Sequence, residues 1–220
     1  MKSMKKILFF LFLAIHVAWA QKDIYESPRF EELSQDHELL AILPFVTNLD
    51  LKERVDGQEL KQLAQQEGYA VQNALETYFS IRKKRKKFNV DFQNTDDTNA
   101  ILAKEGITYE NLDVYTIKEL SEILNVDGII SGSLNLNILL SEGVPTNFSL
   151  LDYFNGNANY GRIGIKISDA QTEKLLWKYE KEITKKTGKN TNELIDRMMK
   201  QASRNFPYDR EKKRKRKKDR

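Results

Sequence analysis

Apolar residues recur along this chain with two periods, and the points where one period gives way to the other mark off its elements. Leu39-Leu40-Ala41-Ile42-Leu43 is a continuous apolar run of the length expected of a strand covered on both faces. Pro44 should end it, because proline cannot donate to a central ladder. From about Gln58 to Ile81, Leu60, Leu63, Ala64, Val71, Ala74, Leu75 and Tyr78 fall at helical spacing, which predicts one long amphipathic helix. Gly68 lies inside that helix at a cost of about 1 kcal/mol relative to alanine, so packing of the apolar stripe must outweigh it. Phe88, Val90 and Phe92 then alternate with Asn89 and Asp91, the pattern of a strand with one buried face.

The second half alternates in the same way. Residues 97–105 form a weakly patterned helix, and Thr116-Ile117-Lys118-Glu119 is a capping box that opens another, with Ile117, Leu120 and Leu124 on one face. Val126 to Leu134 reads as a second buried strand. Gly143, Pro145, Gly156 and several asparagines break the pattern over residues 141–160, which predicts a loop or insertion. Ile163, Ile165 and Ile167 alternate with polar residues, Ser168 to Glu173 supplies turn chemistry, and the strand pattern resumes from Leu175 to Ile183 as the return arm of a hairpin. In that arm Trp177, Tyr179 and Ile183 share one parity, opposite to Lys178, Glu180 and Glu182. A last helix, about Asn192 to Phe206, places Leu194, Ile195, Met198, Met199 and Ala202 on a core stripe before Pro207. The fold class predicted is α/β: one domain, residues 38–207, with a mixed β-sheet, packed helices, and a C-terminal β-hairpin followed by a helix.

Three segments carry a likeness. Ala41-Ile42-Leu43-Pro44-Phe45, Leu124 to Ser133, and Ile167 to Trp177, in that order, resemble the first strand, the helix-to-strand passage and the hairpin of a superfamily of bacterial envelope proteins. It includes the curli-secretion channel lipoprotein, the penicillin-binding-protein activator lipoproteins and the amino-terminal domain of the Tol–Pal translocation protein. The resemblance implies a scaffold that acts by binding or assembling other envelope components, in which Gly128 and Gly132 allow close approach and Asp169 and Thr172 bond to turn amides. Two departures stand out: Glu173 occupies a position where the family usually has glycine, and the lipid-bearing cysteine is missing.

Charge changes the picture at both ends. Lys2, Lys5 and Lys6 precede an apolar stretch from Ile7 to Ile15, and Ala18-Trp19-Ala20 offers small residues for a signal peptidase, so residues 1–20 read as a signal peptide cleaved after Ala20. The stretch is shorter than the roughly 20 residues of a spanning helix. The expected location is therefore periplasmic or secreted, and the lack of any cysteine rules out cysteine lipidation, disulfides and thiolate metal sites. Residues 21–37 read as an N-terminal extension and 208–220 as a basic disordered tail, in which the run Lys212 to Lys218 has no apolar residue to offset its ordering entropy. Residues 209–220 hold nine basic and three acidic residues, so setting the tail and the three leading lysines aside turns the formal +4 of the whole chain into −5 for the middle. The tail reads first as a solvated like-charge block, and otherwise as a contact for anionic lipid headgroups, cell-wall polymer or nucleic acid. A second basic run, Arg82 to Lys87, suits a helix C-terminus and lacks the stacking aromatics of a nucleic-acid groove.

Candidate chemistry is sparse. His37 is the one histidine outside the signal segment, in the polar stretch Ser34-Gln35-Asp36-His37-Glu38, where it reads as a surface residue with no nucleophile elbow to serve. The acid pairs Glu31-Glu32, Asp96-Asp97 and Glu180/Glu182 read as solvated, and Asp50 to Gly57 lacks the spacing of a calcium loop. No catalytic, cofactor-binding or metal residue is assigned and no cofactor is expected. The reading is a non-enzymatic exported protein with an envelope protein partner, a possible homo-oligomer, and no nucleic acid. A secretion-channel-like subunit and a periplasmic hydrolase are the alternatives. The strand-like alternation of Leu134, Leu136, Ile138 and Leu140 would suit a channel, but residues 141–160 supply no return strand.

Overall fold

A computed structural model describes residues 24–51, 55–84, 88–143, 159–184, 189–202 and 206–209. The signal segment with its cleavage point, residues 144–158 of the irregular stretch, residues 85–87 of the inner basic run and the tail beyond Asp209 lie outside the described residues.

Among the described residues seven strands form one mixed sheet, and β5 (Gly128–Leu136) is its spine. β6 (Asn159–Asp169) and β7 (Leu175–Thr184) form the antiparallel hairpin, with β6 against β5, and β1 (Ile24–Glu26) closes that side on β7. On the other side β2 (Leu39–Ile42) and β3 (Val46–Leu49) run parallel to β5 one after the other, and the two-residue β4 (Asp91–Phe92) pairs with β2. The strand expected over Phe88 to Phe92 is thus shorter than its alternation suggests, although Phe88 and Val90 are buried as that alternation requires.

Pro44 interrupts what is otherwise one strand. Ile42 faces Ile130 and Val46 faces Ser133, so three residues of the outer chain oppose two of β5, a bulge at the position where proline has no amide to give. The bulge turns Phe45 into the core across Gly132, where an added Cβ would lie 2.2 Å from the Phe45 ring and 2.1 Å from the Gly164 carbonyl. The same loop explains Gly68. In α2 (Gly57–Lys84) a Cβ at that position would lie 2.2 Å from the Phe45 carbonyl oxygen and 2.8 Å from the Tyr109 ring. The helix gives up some propensity there so that the bulge and Tyr109 can reach its backbone.

The helices sort onto the two faces by strand parity. Leu40, Ile42, Ile130, Leu134 and the inward residues of the hairpin pack with α2 and with Leu194, Ile195, Met198 and Met199 of α5 (Thr191–Ala202). Ala41, Leu43 and Ile129 point the other way, onto Leu102 of α3 (Thr95–Lys104) and Leu120 and Leu124 of α4 (Ile117–Leu124). Thr116 caps α4 with both bonds of the capping box in place, and Asn125 ends it in the left-handed region at φ 53°.

Two boundaries move relative to the sequence reading. The extension assigned to residues 21–37 contributes β1 and the short α1 (Phe30–Leu33), whose Phe30 is buried. The tail assigned from residue 208 begins later, because Tyr208 and Asp209 are buried and Asp209 bridges to Phe88. Both segments carry too few apolar residues to show a period, and they are ordered by partners far away in sequence.

Candidate interaction surface

The helices α3 and α4 cover only the β2 end of their face of the sheet. Ser131, Ser133 and Asn135 continue the parity of Ile129 along β5 beyond that cover, and the register extends them sideways into three rows. Ser131, Lys166, Lys178 and Tyr25 form one; Val46, Ser133, Gly164 and Glu180 the next; Asn48, Asn135, Arg162 and Glu182 the third. Of these, Asn48, Ser133, Asn135, Arg162, Lys166 and Glu182 are exposed polar residues. Ion pairs at the surface hold Arg162 to Glu182 at 3.1 Å and Lys178 to Glu180 at 2.6 Å. Ser131, Ser133 and Gly164 leave the middle of the face low between the longer charged side chains. A Cβ on Gly164 would meet nothing closer than 3.7 Å. At the two margins stand Tyr25, 47% exposed, and Val46, 48% exposed.

The Glu180 and Glu182 carboxylates, read from the sequence as solvated, are neighbours of cations on an open ladder. Glu32 is held by Arg29, and Asp96 and Asp97 occupy the first turn of α3, where Asn94 caps their amides and acids suit the helix end. Asp56 caps the start of α2 by accepting from the Gln58 amide at 2.7 Å. None of these acids converges with a second functional group.

His37 is placed differently from the expectation, and that expectation is corrected. Its side chain is only 5% exposed. Nε2 lies 2.9 Å from Asp169 Oδ1 and Nδ1 lies 2.6 Å from the Tyr208 hydroxyl oxygen. An ionised carboxylate can only accept, so a neutral imidazole protonated on Nε2 satisfies both contacts, with the phenol donating to Nδ1. Burial works against the Asp169 charge, but bonds from the Thr172 hydroxyl and amide and from His37 hold its carboxyl below the usual carboxylate range. Burial, then the nearby charges of Asp169 and Asp127, push the Tyr208 phenol well above its ordinary range. A nucleophile needs the opposite shift. Tyr208 is moreover shut in by Phe30, at 5.1 Å between ring centroids, and by Phe206. Asp169, His37 and Tyr208 stand in the order of a catalytic relay, yet they form a closed latch joining the hairpin turn to both ends of the domain. No signal in the sequence could have exposed it, since the partners of His37 are 132 and 171 residues away.

Glu67 is the other buried acid of note. It accepts from the Ser141 amide at 3.0 Å and the Ser141 hydroxyl at 2.5 Å, tying α2 to the start of the irregular stretch. Among the described residues no group of three or more metal-ligating side chains is found, and no helix is long and apolar enough to cross a membrane.

No family model and no curated protein matches the sequence. Solved structures do resemble the fold at a distance. Lipoprotein GNA1162 from Neisseria meningitidis is 10% identical with a TM-score of 0.46, over 76% of this chain and 98% of that one. The LpoB C-terminal domain from Salmonella enterica is 11% identical with a TM-score of 0.36, over 72% and 94%. A PelC dodecamer from Paraburkholderia phytofirmans is 7% identical with a TM-score of 0.29, over 74% and 88%.

Proposed function

We propose that this protein is a non-enzymatic, exported component of the bacterial envelope that binds another envelope protein through the open face of its sheet. One observation carries the reading: among the described residues no helix lies over the part of one sheet face beyond α3 and α4, and two of the four large apolar side chains exposed among those residues, Tyr25 and Val46, stand at its margins. A flat, low-centred surface with a tyrosine at one rim and paired charges between suits a polar protein contact, in which aromatic residues are enriched and charges fix the register. The leader-like first twenty residues support export, and the closed latch around His37 supports contact over turnover.

The test is site-specific photocrosslinking in the producing cell. A crosslinker at Ser133, Lys166 or Glu182 should give discrete crosslinked protein products, and one at Lys61 or Gln62, exposed on α2, should give none. Products from α2 alone would sink the assignment of the face. Lys166→Glu with Lys178→Glu should abolish the products while leaving the thermal midpoint unchanged.

A further inference from the structure

Two lysines of the open face stand opposite one another across the hairpin. The register of β6 and β7 pairs Lys166 with Lys178, Gly164 with Glu180 and Arg162 with Glu182. The Ser27 amide donates to the Leu176 carbonyl at 2.8 Å and Tyr25 faces Lys178, so the even-numbered residues of β7 turn their backbone groups toward β1 and away from β6. Lys166 and Lys178 are therefore a non-hydrogen-bonded pair, the kind whose side chains stand closer together. Like charges directly opposite one another destabilise a sheet. The next charged pair along the same face does the reverse, since Arg162 is bridged to Glu182. Lys178 has a partial remedy in Glu180, two residues on in its own strand. Lys166 has none: it is exposed, and among the described residues no carboxylate forms an ion pair with it. Ser131 of β5 and the exposed Tyr25 of β1 complete the row on either side of the two lysines. Three cations, Arg162, Lys166 and Lys178, thus share this face with two carboxylates, Glu180 and Glu182, and the positive charge left over sits at Lys166.

We infer that this surplus charge is the seat of a carboxylate from the partner, so that the segment received by the open face is acidic. An aspartate or glutamate side chain enters between Lys166 and Lys178, with the Tyr25 phenol beside them as a further donor. The inference rests on the open face being the binding surface, and adds the chemistry of what binds there. The charge count favours one acidic side chain over a polyanion. Glu180 and Glu182 stand in the same rows and would repel a nucleic acid or an anionic lipid surface laid across them. An arriving carboxylate relieves the opposition of the two lysines, so the stability their pairing costs the free protein is recovered in the complex.

Zero-length carbodiimide coupling in the producing cell tests this, because it joins a lysine amine to a carboxylate in contact with it through an amide bond with no spacer. Peptide mapping of the product should show Lys166 joined to an aspartate or glutamate of another protein. Lys166→Arg keeps the charge and loses the amine, so it should abolish that link while leaving the photocrosslinked products from Ser133 in place. Lys166→Gln with Lys178→Gln removes both charges. It should lower the Ser133 products at least about threefold, with a thermal midpoint equal to or above that of the wild type. A lower midpoint would show the two lysines to be structural and overturn the inference. Ser133 products that come without a Lys166 link, or that survive the glutamine pair undiminished, would overturn the acidic partner and leave the open face as the binding surface. An absence of products from Ser133 would instead sink the face, and this inference with it. A Lys166 link to a carboxylate of a second copy of this chain would overturn the choice of another protein as the occupant.

Discussion

Two side chains show how far single positions could be read. Glu173 is a non-glycine residue that adopts φ 58° in the turn between β6 and β7. The left-handed region crowds the Cβ of any L-residue by about 1–2 kcal/mol, partly offset by the lower entropy of a non-glycine unfolded chain. Glu173→Gly should therefore raise stability by up to about 1 kcal/mol in a denaturant titration. A clear loss of stability would mean that the side chain makes a bond worth more than the strain. His37 is the opposite case, since no local pattern announces its partners. Asp169, at the other end of its bond, has its ionisation favoured in the fold. A carboxyl held below its ordinary value stabilises fully above the usual carboxylate range, and that contribution fades as pH falls through its folded value. Asp169→Asn should then cost about 1–3 kcal/mol at neutral pH, with the gap to wild type narrowing below about pH 4. A gap that stayed constant from pH 7 to pH 3 would show that the Asp169 charge is immaterial.

At the scale of elements, what the sequence disclosed follows from the range of the signal. The hairpin was legible because Ile163, Ile165, Ile167, Trp177 and Tyr179 carry a period of two over adjacent residues, and β6 and β7 bury those side chains. The capping box at Thr116 and the stripe of α2 are equally local. β1, α1 and the last residues were not legible, since each is a few residues long and owes its place to distant strands. That difference sets an expectation for the C-terminus. A chain stopped after Asp209 should melt as the full chain does, whereas one stopped after Tyr208 exposes Phe88 and leaves Arg82 without its carboxylate. The second should lose several degrees in thermal midpoint, consistent with about 3 kcal/mol for breaking a largely buried pair. Equal melts for the two chains would show that Asp209 is not docked.

For the molecule as a whole, the two apolar clusters lie on opposite faces of the same strands: Leu40 and Ile42 belong to one, Ala41 to the other. Neither face can be lost without exposing β2 and β5, so unfolding should be a single cooperative event. Trp177, fully buried, reports one cluster by fluorescence, while far-ultraviolet circular dichroism follows all the helices. The two melting curves should coincide; an earlier dichroic transition would show that α3 and α4 detach on their own. The open half of the sheet face was present in the sequence only as parity, in Lys178, Glu180 and Glu182. Its extent depends on where α3 and α4 stop, which no period in those strands records.

The latch that joins His37 to Tyr208 also governs the order in which a newly made chain can acquire its shape. β2 has to wait for β5, β1 for β7, and His37 for a residue 171 positions later. Contacts of such separation form late because the loop they close must first exist. The β2 side of the sheet can form once β5 has emerged, but β1 must wait until the chain has been made through Tyr179, and the latch until Tyr208. Until then the chain stays open and threadable, and Tyr208 is the residue that shuts it.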